Sequence, residues 1–165
     1  MSQSSTQFDV CIRGAGIVGR SLSLMLASQG LRVALVNLSD AQKSAHGHSD
    51  VRAYSLNSAS QQLLTDLRCW PEGTACTPIL KMQIEGDQDG NLEFNAAQQN
   101  VEALNWMIDV PTLENNLTKA TGFQPLIQEV AENVRAPLTV ICEGRASQTR
   151  AELGVAFDVK HYEQH

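Results

Sequence analysis

The opening of this chain does most to limit what it can fold into. Phe8 to Ile12 is a short, apolar and partly β-branched run, the pattern of a buried strand, and Gly14-Ala15-Gly16-Ile17-Val18-Gly19 follows at once. Apolar residues then fall at 17, 18, 22, 24, 25 and 26, dense enough for a helix from Ile17 to Gln29 lying against a sheet. Gly30 stands where a C-terminal glycine cap is expected, and Arg32 to Val36 is a second strand-like run. Strand, glycine turn, helix, strand is one βαβ unit, so the chain is committed to an α/β fold with a parallel sheet.

The three glycines of such a turn serve different ends. Gly14 permits the tight turn out of the strand, Gly16 lets backbone amides approach a pyrophosphate, and Gly19 lets the helix pack closely on the strand. Ala15 and Val18 complete the turn, and a bound phosphate would sit at the positive end of the helix, where unpaired N–H groups point outward. A glycine turn alone is weak evidence, because a tight βα turn that binds nothing has the same sequence. The flanking strands and helix supply the required context here. An Asp or Glu for a ribose is expected about 20 residues on, at the end of the second strand. Asn37 occupies that point. Its amide oxygen can accept from a ribose hydroxyl, but without the charge-assisted strength of a carboxylate. Asp40 is a nearby substitute in the loop that follows.

The rest of the chain adds elements to this unit. Ser39 to Asp50 is polar and reads as an exposed loop, and Asn57 to Leu67 is helical, with Leu56, Leu63, Leu64 and Leu67 on its apolar side. Trp70-Pro71-Glu72-Gly73 ends that helix. Ile79–Glu85 and Asn91–Phe94 alternate about a Gly86–Gly90 turn, as in an antiparallel hairpin. Pro111 sits at the head of a helix from Thr112 to Ala120. Leu138 to Cys142 reads as another buried strand, and one short helix lies in the last segment, Gln148 to His165. The expected fold is α/β: a Rossmann-like parallel sheet with flanking helices and a small antiparallel hairpin, in a single domain over residues 1–165.

Composition removes several functions. The chain has 165 residues and a formal net charge of −6; from Met82 to Val134 nine carboxylates face a single basic side chain, Lys119. Such a surface repels nucleic acid and anionic lipid. No apolar run reaches the roughly 18 residues of a membrane span, and Met1 to Gln7 lacks the basic start of a signal peptide, so a cytoplasmic setting is expected. Cys11, Cys69, Cys76 and Cys142 are scattered, with no zinc-like spacing, and read as reduced structural thiols. His46, His48 and Asp50 do not complete a metal site, and Asp87 to Gln98 lacks the calcium-loop glutamate, so no metal is expected. No serine lies in a nucleophile elbow, and Trp70 and Trp106 read as packing anchors.

Three stretches carry a resemblance. Gly14-Ala15-Gly16-Ile17-Val18-Gly19-Arg20-Ser21-Leu22, Asp50-Val51-Arg52-Ala53-Tyr54-Ser55-Leu56-Asn57 and Leu67-Arg68-Cys69-Trp70 resemble the N-terminal part of the flavin-dependent aromatic hydroxylases. Within these, the ubiquinone-biosynthesis hydroxylases of the UbiH type are the nearest match, in the fold class of para-hydroxybenzoate hydroxylase. The resemblance implies FAD on the glycine turn, with the arginine matching Arg52 near the flavin pyrophosphate, and NAD(P)H as reductant. It also implies a second fingerprint at Glu143-Gly144-Arg145-Ala146-Ser147, where Glu143 stands in place of the usual Asp. The implied chemistry is ring hydroxylation of a small aromatic substrate, with no side chain named as catalytic acid or base. The family's downstream Gly-Asp motif and its substrate-binding sheet are absent, so the chain reads as the cofactor half of such an enzyme or as a non-catalytic dinucleotide-fold module. A homodimer or a partner subunit would then cover the missing half, with contact to the inner membrane made only through partners.

Overall fold

In a computed structural model, the structure describes residues 8–37, 51–86, 90–144, 147–155 and 160. The expected βαβ unit is present. Strand β1 (Val10–Arg13) leads through the glycine turn into α1 (Ile17–Ser28), which returns to β2 (Val33–Val36). β1 and β2 pair in parallel, Val10 opposite Val33 and Arg13 opposite Val36. At the end of α1, Gly30 takes φ +84° and its N–H donates to Ala27 O, while Leu31 N–H reaches Leu26 O. That is the glycine cap the sequence predicts, since only glycine enters this conformation without a steric penalty.

Two further parallel strands complete the main sheet in the order β8-β2-β1-β9: β8 (Ile127–Val130) beside β2, and β9 (Leu138–Ile141) beside β1. β8 went unread in the sequence because Ile-Gln-Glu-Val shows neither alternation nor an apolar run; its pairing with β2 decides its state. β9 corrects a different expectation. It is not buried: Leu138 is 53% and Ile141 39% exposed, because among the described residues β9 is an edge strand with β1 on one side only, and Cys142 falls just after it.

A second sheet was missed altogether. β3 (Ala53–Leu56), β4 (Cys76–Ile79) and β7 (Asn105–Asp109) form an antiparallel sheet in the order β3-β7-β4. Pro78 argues against a strand in sequence, and edge position resolves the conflict, since an edge residue can lack its N–H without breaking a ladder bond. Between β3 and β4 lies α2 (Ser58–Asp66), capped by Asn57, whose side chain accepts from Ser60 N–H at 2.9 Å. β7 runs straight into α3 (Val110–Phe123): Asp109 accepts from Thr112 N–H at 2.9 Å and Pro111 occupies the first turn, so no loop intervenes.

The core joins the two sheets through these helices. Leu24 of α1, Leu64 of α2, Trp106 and Ile108 of β7, and Leu113 and Leu117 of α3 pack as one cluster. Ile108, Leu113 and Leu117 have no exposed surface, and each such burial contributes about 1.5–3 kcal/mol. Trp70 meets Trp106 edge to face with ring centres 6.0 Å apart, the packing role expected of both. Burial pushes the Cys69, Cys76 and Cys142 thiols up from their ordinary values, which disfavours reactive thiolate at neutral pH.

The hairpin is formed by β5 (Lys81–Glu85) and β6 (Asn91–Asn95). Met82 lies opposite Phe94 and Ile84 opposite Leu92, so one face is wholly apolar, and all four side chains are exposed. The other face carries Lys81 and Glu93, which form an ion pair at 2.8 Å. Among the described residues, no helix is long and apolar enough to cross a membrane. His46, His48, Asp50, Asp40, Asp87 and Arg145, weighed above, lie outside the described residues.

Candidate dinucleotide site

Steric demand sorts the three glycines of the turn. Gly14 has φ +108°, and a Cβ there would sit 2.4 Å from Cys142 O and 2.9 Å from Glu143 N. At Gly19 a Cβ would lie 1.9 Å from Gly14 O. Both are glycine because the chain itself leaves no room. Gly16 differs: its φ of −79° and ψ of −173° suit any residue, and no atom of the described residues lies within 4 Å of its missing Cβ. Nothing among the described residues requires a glycine at 16. An approaching ligand backbone or phosphate would.

Gly16 is also the N-cap of α1, with no side-chain cap and no acidic residue in the first turn. The first amides of an α-helix have no partner within it, and here no capping carboxylate competes for them. Val18 is exposed beside this end, and Ala15 packs against the Val10–Leu35 core below it.

The neighbouring strand end brings in Asn37, two residues beyond Leu35. Gly14 N–H donates to Val36 O at 3.0 Å, so the turn and the end of β2 adjoin. Asn37 Nδ2 donates to Glu129 Oε1 at 2.5 Å, and its backbone N–H reaches Val130 O. Glu129 also pairs with Arg20 of α1, Nη1 to Oε2 at 3.1 Å, and Arg20 Nη1 donates to Thr121 Oγ1 at 2.7 Å. Sequence reasoning missed the pairing of Glu129 with Arg20: 109 positions separate them, and nothing in the sequence around either names its partner.

Glu143 and Gly144 lie at the end of β9, beside the turn, as the Gly14 contact shows. Both Glu143 oxygens are engaged: Oε2 accepts from Ser147 Oγ (2.8 Å) and Thr149 N–H (3.0 Å), and Oε1 accepts from Thr149 Oγ1 and faces Arg13 Nε at 3.3 Å. This carboxylate thus ties β1 and β9 to the start of α4 (Gln148–Glu152). Partial burial pushes Glu143 up, but the hydrogen bonds from Thr149 and Ser147 together with Arg13 outweigh it, and the carboxyl sits below its ordinary value. The folded state therefore binds this proton more weakly than the unfolded chain. Its stabilisation is present above the unfolded value of about 4.3 and is lost as pH falls through the lower folded one. Glu143→Gln should cost about 1–2 kcal/mol at pH 7 and flatten the acid side of a plot of unfolding midpoint against pH. An unchanged acid limb would show that Glu143 carries none of it.

Arg52 is carried by the second sheet. It directly precedes β3, its carbonyl accepts from Val110 N–H at 3.1 Å, and its guanidinium reaches Glu114 of α3 at 3.4 Å. The turn, Asn37, Glu143 and Gly144 thus gather at the carboxyl ends of the parallel strands, where ligands bind in open α/β sheets, and Arg52 sits on the second sheet.

No family model matches this chain. It is 26% identical over 180 residues to 3-demethoxyubiquinol 3-hydroxylase of Escherichia coli (strain K12), an alignment covering 94% of this chain and 46% of that protein. The ubiquinone hydroxylase UbiL of Rhodospirillum rubrum is 26% identical over 179 residues, with 94% and 42% covered. Among solved structures, p-nitrophenol 4-monooxygenase PnpA from Pseudomonas putida DLL-E4 superposes with a TM-score of 0.64 at 15% identity, covering 92% of this chain and 45% of PnpA. The flavin-dependent monooxygenase PieE, in complex with FAD and substrate, gives 0.62 at 16% identity, with 93% and 33% covered. The fold is that of the flavin-dependent monooxygenases. In sequence, the chain is similar to the N-terminal part of the ubiquinone hydroxylases, and it spans a little under half the length of these curated relatives.

Proposed function

We propose that this chain is the cofactor-binding part of a FAD-dependent aromatic monooxygenase of ubiquinone biosynthesis. The observation that carries the reading is the open space at Gly16, at an uncapped helix start, in a turn whose other two glycines the fold itself demands. The FAD pyrophosphate would lie against the backbone of Gly14, Ala15, Gly16, Val18 and Gly19. Asn37 would lie toward the adenosine ribose, Glu143 and Gly144 would border the turn, and Arg52 would approach from the second sheet. Bound FAD, reduced by NAD(P)H, would supply the oxygen chemistry on a small aromatic substrate, while the protein holds the flavin and excludes water.

The exposed edge strand β9 and the apolar face of the hairpin support a further part of the reading: additional protein, on the same chain or a partner, covers them and forms the substrate wall. Such an assembly is cytoplasmic and reaches the inner membrane through partners.

Titration of the purified chain with FAD, followed by tryptophan quenching and the flavin absorbance band, tests the reading. Binding at micromolar or tighter, about −8 kcal/mol, is the expected result. Absence of binding at millimolar FAD would overturn it and leave a non-catalytic dinucleotide-fold module serving as an accessory or scaffold subunit.

A further inference from the structure

We infer that Glu129, held by the buried Arg20, supplies the carboxylate for the adenosine ribose that position 37 lacks. This rests on the dinucleotide reading above and deepens it.

Side chains alternate along a strand, and register partners in a parallel pair share a face, so Leu35, Asn37 and Glu129 project to the same side of the sheet. Leu35 packs there with Leu22 and Leu26, which identifies that side as the one α1 covers. Arg20 reaches across from α1. Its side chain is only 8% exposed, whereas that of Glu129 is 43% exposed, so the ion pair is buried at its arginine end and open at its carboxylate end. Two guanidinium nitrogens, at 3.1 and 3.5 Å, fix both carboxylate oxygens. Asn37 can meet a carboxylate only through its NH2, so the contact with Glu129 sets the orientation of that amide as well.

The result is a preoriented negative charge one strand over from its expected place, at the end of the sheet that carries the glycine turn. An ionised carboxylate accepts from a ribose hydroxyl more strongly than an amide oxygen does. It also repels a 2′-phosphate, so the site would take an adenine dinucleotide with a free 2′-hydroxyl.

The test compares ADP with 2′-deoxy-ADP by calorimetry, on the whole chain and on Asn37→Asp, Glu129→Gln and the double variant. The unaltered chain is expected to favour ADP about tenfold, as for one charge-assisted hydrogen bond. Glu129→Gln should reduce that preference to within about twofold, whereas a purely structural role for Glu129 would weaken both ligands equally and overturn the inference. Asn37→Asp keeps the Arg20 pair but sets a second carboxylate against the first. It should weaken ADP, and tighter binding would assign the ribose to position 37 instead. The double variant, which moves the charge across, should recover affinity. If Glu129→Gln fails to fold, the sign of the Asn37→Asp effect decides. Binding of both nucleotides with equal affinity by the unaltered chain refutes the inference alone; failure to bind ADP or FAD refutes the dinucleotide reading with it.

Discussion

Gly16→Val is expected to cut FAD affinity about a hundredfold, roughly 2.8 kcal/mol, while leaving the protein folded. The large effect on binding follows from where the new side chain goes. It enters space that no described residue occupies, at the helix start where backbone amides would meet a pyrophosphate. The small effect on stability follows from the same observation. Valine readily adopts the extended backbone of residue 16, and its cost is that of a poorer N-cap, about 0.5–1 kcal/mol. Titration and thermal unfolding on one preparation give both numbers. If affinity were unchanged, the pyrophosphate would lie elsewhere; if the chain unfolded, Gly16 would have a packing role that the structure does not show.

Gly19→Ala should do the reverse and strike the fold first. Its Cβ would lie 1.9 Å from the carbonyl oxygen of Gly14; that oxygen belongs to the backbone and the position of a Cβ is set by its own backbone, so no rotamer change relieves the clash. Either α1 lifts from the sheet or the turn deforms. Gly14 cannot yield easily, because its positive φ and its closeness to Cys142 O already fix it. Overpacking usually costs about 1–3 kcal/mol, and a backbone clash belongs at or beyond the upper end. For a domain of this size, a loss of about 3 kcal/mol lowers the midpoint by roughly 6–12 °C. A midpoint equal to that of the unaltered chain would mean that α1 does not pack against the turn as described. One methyl at 19 is thus expected to damage stability more than an isopropyl group at 16.

This contrast also marks what the sequence can reveal. From Phe8 to Val36 the signals are local: an apolar run, three glycines at fixed spacing, helical periodicity and a capping glycine act within a few residues of one another, so order in the chain is order in space. The helix after Asn57, Pro111 at a helix head and the hairpin about its Gly86–Gly90 turn were legible for the same reason. The separate roles of the three glycines were expected from their spacing; what enforces the demand at Gly14 was not legible, since it is Cys142 and Glu143, more than 120 positions downstream, closing over that residue.

The remainder belongs to tertiary structure. β4 carries a proline and β8 lacks any pattern, yet each is a strand because a neighbour offers it a ladder. β9 looks buried in sequence and is exposed, because burial depends on what lies on its far side, which no local pattern encodes. The same holds at the candidate site. Sequence determined the βαβ unit, the helix start that follows the glycine turn and the missing carboxylate at 37. Only the parallel pairing of β8 with β2 brought Glu129 beside Asn37, and only the packing of α1 against that sheet buried Arg20 behind it. A ladder bond or an ion pair between residues a hundred positions apart is set by the path of the whole chain, and no window along the sequence contains both partners.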